Sequence, residues 1–385
     1  MKILISLTYY KPYTSGVITY IRNLGEALVR KGHEVTVLTS QYESGLPRQE
    51  VMNGVQIHRI PVAFRISKGA IMPRFPMIAF RLLHSHDVAI LNLPNTPIEA
   101  FFFPILARLL RRRLIAIHHC GVILPPGIWN KIVEKTVMAF TAFAQTLADR
   151  IVCYTEDYAA INKTCRMFPK KLKVIPPPVA MARPDPECVS KFRLQFARDG
   201  DPLIGFAGRM ATEKGVEHLA LALPRIQERF PKARVVFAGE EDGVIGEEKY
   251  RDRLRPLIKE LGDRWVHLGV LEAEAMNLFY AACDLVTLPS TNSTESFGFV
   301  QVESMLCGTP VVASDIPGVR VPVQTTGMGR LVQPANPDNL AATIVQVLQD
   351  RSKYLRPREE VENFFSIDKT ADAFEHLLSK EEIAE

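Results

Sequence analysis

Short apolar runs alternate along the chain with longer segments whose apolar positions recur every three or four residues. This alternation predicts buried strands joined by amphipathic helices, and hence parallel sheets flanked by helices. In the first half, strands are predicted at residues 2–7, 34–39, 55–60, 87–91, 114–118 and 151–154. Helices are predicted there around residues 17–31, 97–112 and 128–150.

The alternation pauses at three consecutive prolines, Pro176 to Pro178, and at the polar residues 183–201, which predict a linker. It then resumes with strands predicted at 203–207, 234–238, 265–268, 285–288, 310–313 and 329–332. Helices are predicted at 215–229, 247–261, 272–281, 299–307, 336–350 and 367–380. The predicted fold class is therefore α/β, with two doubly wound, Rossmann-like domains facing each other across a cleft. In such sheets, ligands bind beyond the carboxyl ends of the strands.

Composition is that of an ordinary globular protein. The 385 residues are 47% apolar and 23% charged, and the six cysteines form no C-x-x-C pair, which favours reduced thiols over a disulfide framework or a zinc site. No apolar run reaches the roughly 18 residues of a membrane-spanning helix. The chain enters a strand pattern at Lys2 without a signal-peptide pattern, so a cytoplasmic location is expected.

Charge is unevenly distributed between the two halves. Residues 1–180 carry 23 basic and 10 acidic side chains, a net charge of +13, whereas the remainder carries 24 basic and 32 acidic ones, a net charge of −8. Acidic membrane lipids, a phosphorylated acceptor or nucleic acid would each suit the basic half, and so would a solvated surface without a specific partner. Because no nucleic-acid-binding motif is present, nucleic acid is not expected as a partner.

The segment from Leu288 to Pro310 contains the densest candidate chemistry. A strand ends in a polar loop that contains Glu295, and a helix predicted to start near Gly298 contains Glu303. Carboxylates accept hydrogen bonds from hydroxyl groups, as sugars and riboses require. Backbone N–H groups around Phe297, Gly298 and Phe299 would face a polar group or an anion at the helix start. The alternative is a structural unit with one capping and one exposed glutamate.

A second strand, glycine turn and helix start occur at residues 205–215. Here Gly208 is followed by Arg209 and Lys214, two cations that favour phosphate binding when combined with helix N–H groups. The spacing matches neither the P-loop nor the dinucleotide G-x-G-x-x-G pattern. Solvated side chains at a helix start are the alternative.

The first domain offers two further candidates, both at predicted strand ends. Gly16 follows the first strand and would let a ligand approach the backbone closely. His118 and His119 end another strand. Because adjacent strand residues point to opposite faces, the two are not expected to chelate one metal; one is expected in the cleft and the other packed behind it.

Together these residues resemble the retaining glycosyltransferases of glycosyltransferase family 4, which have the GT-B fold. Glu295 and Glu303 match the family's E-x7-E motif within a Ser-Phe-Gly and Gly-Thr-Pro context, and the likeness extends over nearly the whole chain. The resemblance implies an acceptor-binding domain at 1–180, a linker at 181–201 and a nucleotide-sugar domain at 202–364. It also implies that a helix within 365–385 returns to the first domain.

The resemblance also implies roles for the site residues. Glu303 would hold the donor's ribose hydroxyls, and Glu295 those of the transferred sugar. Arg209 and Lys214 would bind the diphosphate and stabilise the leaving nucleotide diphosphate. Gly16 would contact the diphosphate or the acceptor, and His119 would face the sugar near the reacting carbon. No metal and no cofactor are expected, since the nucleotide sugar (UDP- or GDP-linked) is a substrate.

Two positions depart from the family pattern. Ser15-Gly16 replaces the usual Gly-Gly, and Gly121 stands where many relatives carry the aspartate of His-x-Asp. Neither change affects the donor half. The alternatives are therefore a non-catalytic glycosyltransferase-like partner, a sugar-nucleotide epimerase or a phosphorylase on the same fold, although no pyridoxal-phosphate lysine site is visible.

Two stretches mix basic and apolar side chains and predict peripheral association with the inner face of a membrane. The first runs from Phe64 to Leu83 and the second from Phe101 to Arg113. A lipid-linked or polysaccharide acceptor is expected for this reason, with a role in cell-envelope glycan or glycolipid synthesis. A buried helix with a basic end is the alternative for each stretch.

Overall fold

A computed structural model describes residues 1–66, 69–124, 127–197, 200–244 and 246–379. Its strands, numbered along the chain, are β1 (Lys2–Ser6), β2 (Glu34–Gln41), β3 (Gln49–Met52), β4 (Val55–Pro61), β5 (Phe64–Ile66), β6 (Gly69–Ile71), β7 (Val88–Leu93), β8 (Arg113–His118), β9 (Arg150–Cys153), β10 (Leu172–Val174), β11 (Leu203–Ala207), β12 (Arg234–Ala238), β13 (Trp265–Gly269), β14 (Leu285–Leu288), β15 (Val311–Ser314) and β16 (Gly329–Val332). Its α-helices are α1 (Gly16–Arg30), α2 (Phe75–His84), α3 (Pro97–Leu109), α4 (Ile128–Leu147), α5 (Glu156–Ile161), α6 (Pro186–Leu194), α7 (Val216–Arg229), α8 (Glu248–Leu261), α9 (Ala273–Ala282), α10 (Phe299–Leu306), α11 (Val321–Thr326), α12 (Pro337–Gln349), α13 (Arg358–Phe365) and α14 (Ile367–Leu378).

The chain divides into two compact α/β units. The first comprises Met1–Pro178 and the C-terminal segment that begins at Ile367, and the second comprises Val179–Ser366. Each contains one extended parallel sheet with helices packed against it, the Rossmann-like arrangement that the hydrophobic pattern predicts.

The sheet of the first unit has the strand order β10-β9-β8-β7-β1-β2-β4-β3, and only β3 pairs antiparallel to its neighbour. All six residues of β7 are buried, as expected for a strand covered by helices on both faces. The chain moves outward from β1 to β2 in one direction and from β7 to β8 in the other. The carboxyl ends of β1 and β7 therefore border the switch point where such sheets bind ligands.

The sheet of the second unit has the strand order β13-β12-β11-β14-β15-β16, and all of its strands are parallel. Its switch point lies between β11 and β14. The loops that leave these two strands, residues 208–215 and 289–298, are the ones that contain Arg209, Lys214 and Glu295.

The segment predicted as a linker, residues 181–201, differs from that expectation. It contains α6, whose first turn is capped by Asp185: the carboxylate accepts the N–H groups of Glu187 and Cys188 at 2.9 and 3.0 Å. Asp185 followed by Pro186 is a helix-start signal that the overall polarity of the stretch concealed. The segment belongs to the second unit, where α6 packs against α9. Cys188 on this helix is exposed.

The C-terminal helix α14 packs against α1 within the first unit. Lys31 at the end of α1 joins the two helices, since its ammonium lies 2.5 Å from an Asp372 carboxylate oxygen and 2.8 Å from one of Glu375. The predicted span of this helix ran to Lys380, which lies outside the described residues.

Candidate functional site

The two loops at the switch point of the second unit are joined by hydrogen bonds to backbone carbonyls. The N–H of Thr291 donates to the Glu213 carbonyl at 2.9 Å, and its hydroxyl donates to the Thr212 carbonyl at 3.2 Å. Gly215, which precedes α7, makes this approach possible. Its φ of +65° is left-handed, and a Cβ there would lie 2.1 Å from the Pro289 carbonyl oxygen.

This packing brings Lys214 and Glu295 together although they are far apart in sequence. The Lys214 ammonium donates to Glu295 Oε2, and both side chains are mostly buried. The other oxygen, Oε1, accepts the backbone N–H of Gly298 at 3.1 Å. Glu295 therefore links the cation of one loop to the helix start of the other, and the Gly298 N–H predicted to meet a ligand is already bonded to it.

Glu303 lies in α10, which starts after Gly298 as the sequence predicts. Its Oε2 accepts the hydroxyl hydrogen of Tyr280, from α9, at 2.7 Å. Burial first, and then the neighbouring Glu303 charge, raise the pKa of Tyr280 well above its usual range, so this phenol remains a donor. Tyr280 holds the Glu303 carboxylate in place, and the motif did not reveal it.

Arg209 is the most accessible charge of the cluster. Its side chain is 45% exposed, and its ion-pair partner among the described residues is Glu213, at 3.3 Å. An exposed pair of this kind contributes little to stability, so an anion can recruit the guanidinium at little cost. Gly208 precedes it at the end of β11 with a φ of +153°, in the region that favours glycine.

In the first unit, Ser15 caps α1. Its hydroxyl oxygen accepts the Ile18 N–H at 3.4 Å, and Gly16 follows as the first helical residue, exposed at the surface. The serine that replaces the family's glycine thus acts as the N-cap of the helix at whose start a ligand contact is predicted.

His118 and His119, at the carboxyl end of β8, are both almost completely buried, so the role of His119 beside the transferred sugar stays a prediction. Asn92 donates through Nδ2 to the Ser6 carbonyl at 2.9 Å, which directs its Oδ1 at His119 Nε2, 2.7 Å away. Nε2 therefore carries the proton, and Nδ1 accepts from the Tyr154 hydroxyl. Burial, with a smaller effect of His118, lowers the pKa of His119 to about 3, so the ring is neutral at physiological pH.

A buried carboxylate beside the first switch point was not predicted from the sequence. Glu99, in the first turn of α3, accepts the hydroxyls of Thr8 and Thr96 at 2.8 and 2.7 Å, while its Oε1 has no hydrogen-bond partner among the described atoms. Burial raises its pKa to about 7. The capping-box spacing Thr96-Pro-Ile-Glu99 was the signal that could have located it.

Among the residues that the structure describes, no group of three or more His, Cys, Asp or Glu side chains is arranged to hold a metal ion. Within the same residues, no helix is both long and apolar enough to cross a membrane.

Two sequence-family models match this chain, one in each unit. Residues 14–183 match the family described as "Glycosyltransferase Family 4", and residues 190–364 match "Glycosyl transferases group 1". Together they contain all of the site residues predicted above.

Relatives that match over most of this chain are also named as glycosyltransferases. An uncharacterized glycosyltransferase of Methanocaldococcus jannaschii is 28% identical, over 91% of this chain and 90% of its own. A GDP-mannose-dependent alpha-(1-6)-phosphatidylinositol monomannoside mannosyltransferase of Mycolicibacterium smegmatis is 23% identical, over 89% and 87%. The Anabaena HepE structure with UDP and glucose has the same fold, with a TM-score of 0.79 at 22% identity over 98% and 99% of the chains. This protein belongs to the GT-B glycosyltransferases of the family 4 type.

Proposed function

We propose that this protein transfers a sugar from a nucleotide-diphosphate donor, UDP- or GDP-linked, to a hydroxyl group of a lipid-linked or polysaccharide acceptor, with retention of anomeric configuration. The observation that carries the proposal is the ion pair of Lys214 with Glu295 at the switch point of the second unit. It places a cation, a hydroxyl-accepting carboxylate and a helix start side by side, as a sugar diphosphate requires.

Arg209 and Lys214 are the proposed diphosphate ligands. Arg209 is exposed enough to turn towards an anion, whereas Lys214 must exchange Glu295 for a phosphate oxygen. That exchange would release Glu295 to accept hydroxyl hydrogens of the transferred sugar. Glu303, held by Tyr280, would accept hydrogen bonds from the ribose hydroxyls.

In the proposed reaction, the bond between the sugar C1 and the β-phosphate oxygen breaks, and a bond from the acceptor oxygen to C1 forms on the same face. The acceptor's proton passes to the leaving phosphate. Negative charge grows on that phosphate during the step, so fixed cations stabilise the transition state more than the ground state. We propose further that the reaction needs no metal ion, so activity should survive the addition of a chelator.

Two observations bear on the class of acceptor. The mycobacterial relative is named for a phosphatidylinositol monomannoside acceptor, and the first half of this chain has a net charge of +13. Both favour a phosphorylated, lipid-linked acceptor bound by the first unit. His119 would take part there as a neutral ring fixed by Asn92 and Tyr154, without transferring a proton.

The test is incubation with a panel of UDP- and GDP-sugars, followed by detection of released nucleotide diphosphate with and without lipid acceptors. Slow release without acceptor and faster release with one of them would support transfer, and NMR of the product gives the anomeric configuration. A non-catalytic partner would bind donor without releasing nucleotide. An epimerase would instead convert the donor sugar without needing an acceptor.

A further inference from the structure

The outer surfaces of α2, α3 and α4 carry a concentration of exposed apolar side chains. Among the described residues, 23 large apolar side chains are exposed, and ten of them lie between Met77 and Val133, about a seventh of the chain. In the second unit the exposed ones are scattered, on five separate segments: Leu194, Leu221, Val270, Leu355 and Phe364. Clustering of this kind marks an interaction surface, whereas isolated apolar side chains need no explanation.

The first half of α4 is the centre of this surface. Ile128 and Trp129 are each 79% exposed, and Ile132 is 48% exposed one turn later. Buried Thr141, Ala144 and Gln145 lie in the second half of the helix. The apolar side chains at its start thus face outward, whereas a helix that only covers a core turns its apolar side chains inward.

Aromatic contacts continue the surface from α4 to α3. Phe143 of α4 stacks on Phe101 of α3 with ring centroids 5.3 Å apart, and Phe101 meets the edge of Phe102 at 5.1 Å. Both α3 rings are partly exposed. The surface therefore extends over two packed helices.

Its charge is mainly positive. Residues 101–148 contain six basic side chains and one acidic one, and one of the six, Arg108, pairs with the adjoining Asp149 at 2.7 Å. Lys131 and Lys135 are exposed beside the apolar positions of α4, while the single carboxylate, Glu134, accepts the Leu124 N–H. Two copies of such a surface would repel each other, whereas an anionic layer is complementary to it.

We propose that the outer surface of α3 and α4, centred on Trp129, docks on an anionic membrane surface. Tryptophan and isoleucine enter the headgroup boundary, and lysines remain at the level of the lipid charges. This inference names the partner of the first unit and rests on the proposed function only for the use of a lipid-linked acceptor. It centres the contact on α3 and α4 rather than on residues 64–83, where Met77 and Phe80 are exposed but Met72 and Phe75 belong to the core. Lys68 of that stretch lies outside the described residues.

The two tryptophans give a direct readout on the full-length protein. Trp129 is exposed, whereas Trp265 is only 6% exposed in the core of the second unit, so a Trp265→Phe variant reports on Trp129 alone. Large vesicles of phosphatidylcholine and phosphatidylglycerol, in a ratio of roughly 3:1, should shift its emission to the blue and protect it from acrylamide. Vesicles of phosphatidylcholine alone should do so much less, and added salt should weaken the effect.

Cosedimentation with the same vesicles then measures affinity. A variant with Ile128→Ser and Trp129→Ser should lose about 100-fold in partitioning, and Lys131→Gln or Lys135→Gln about five-fold each. Leu221→Ser is the matched control, because it removes an exposed apolar side chain from α7 and should change nothing. UDP and GDP binding to all variants tests the donor site separately.

Unchanged Trp129 emission with both vesicle types would overturn the inference, as would a dimer in light scattering that Trp129→Ser dissolves. If the protein binds vesicles but no nucleotide, the proposed function fails and the membrane surface stands. If it binds nucleotide but no vesicles, the membrane inference fails and the proposed function stands.

Discussion

Lys214 and Glu295 neutralise each other in the structure, so an entering diphosphate must compete with a carboxylate for the ammonium. Because the pair is mostly buried, the charge released by that exchange acts where little water screens it. This exchange between two side chains is the basis of the proposed electrostatic catalysis.

Replacing Lys214 by methionine should therefore lower kcat/KM by about 10²–10³-fold, the usual cost of removing one charge-stabilising group. Initial rates of nucleotide release measure the effect. Lys191→Met is the matched control, because Lys191 also pairs with a glutamate, Glu187, but on the exposed surface of α6. Equal activity of the two variants would contradict the role of Lys214.

Glu99 gives the first unit a pH-dependent stability. Its pKa is about 7 in the folded protein against an ordinary value of 4.5, so the folded state holds the proton over this interval. The free energy of unfolding should then fall as pH rises from about 4.5 to about 7, by on the order of 3 kcal/mol from this group.

Glu99→Gln should remove that loss, because glutamine still accepts from Thr8 and Thr96 but never ionises. Urea unfolding should show the variant more stable than the wild type near pH 8 and equal to it near pH 4.5. Subtracting the two free energies of unfolding at each pH cancels the contribution of every other titrating group. A constant difference at both pH values would show that Glu99 does not titrate between them.

His119 should leave no inflection in the pH–rate profile, because burial keeps its pKa at about 3. The profile of kcat/KM between about pH 5 and about pH 9 should have the same shape in the wild type and in His119→Gln, even if the variant is slower. Loss of one limb of the profile in the variant alone would identify His119 as a proton carrier and refute the neutral role. Stability, in contrast, should fall in acid, since a histidine with a lowered pKa in the folded state destabilises the protein below about pH 6.5.

Among the elements of the second unit, glycines decide whether the two loops of the donor cluster can meet. Gly215→Ala would place a Cβ 2.1 Å from the Pro289 carbonyl oxygen, so the loops after β11 and β14 must separate. Gly308→Ala is the matched control, because Gly308 also has a positive φ, of +81°, but a Cβ there would have nothing within 4 Å among the described residues.

Both substitutions should cost about 1 kcal/mol of backbone strain, seen as a Tm decrease of about 2–4 °C. Only Gly215→Ala should lower Tm further and abolish nucleotide binding, measured by titration calorimetry. Nucleotide binding retained at full affinity in Gly215→Ala would mean that loop contact is not required for the donor site.

The elements themselves show what a sequence pattern can and cannot predict. Strands β11, β12 and β16 lie where the apolar runs placed them, because a strand buried on both faces leaves a continuous apolar signature. Helix α2 was considered only as the alternative of a buried helix, because basic residues occur there among apolar ones. Helices α5, α6, α11 and α13 were not predicted, and in the polar stretch of α6 only the Asp185-Pro186 cap marked a helix.

Some residues of the candidate site could likewise be predicted from the sequence, and others could not. Glu295, Glu303 and Lys214 were predicted because fixed spacing after a strand is local information. Their partners, Tyr280 and the Gly298 N–H, depend on how α9 and the two loops pack, which no local pattern contains. The hydrogen bonds of His119 were not predicted for the same reason, since Asn92 lies on β7 and Tyr154 directly after β9.

Across the molecule as a whole, the two units have the same type of sheet but differ in net charge and in exposed apolar surface. The first half of the chain is basic and displays the apolar surface around Trp129, and the second is acidic overall but places cations at its switch point. This division predicts that nucleotide binding and vesicle binding respond to separate sets of substitutions.

Nucleotide binding by the second unit is the decisive property to measure. Thermal unfolding should be followed with UDP, GDP and ADP in the wild type, in Glu303→Gln and in Glu217→Gln, a control whose glutamate also accepts a tyrosine hydroxyl, that of Tyr250. A nucleotide at 100 times its Kd should add about 2.7 kcal/mol. We expect one diphosphate to stabilise the wild type and the control, and this stabilisation to be lost in Glu303→Gln. No stabilisation of the wild type by any of the three at millimolar concentration would contradict the donor site.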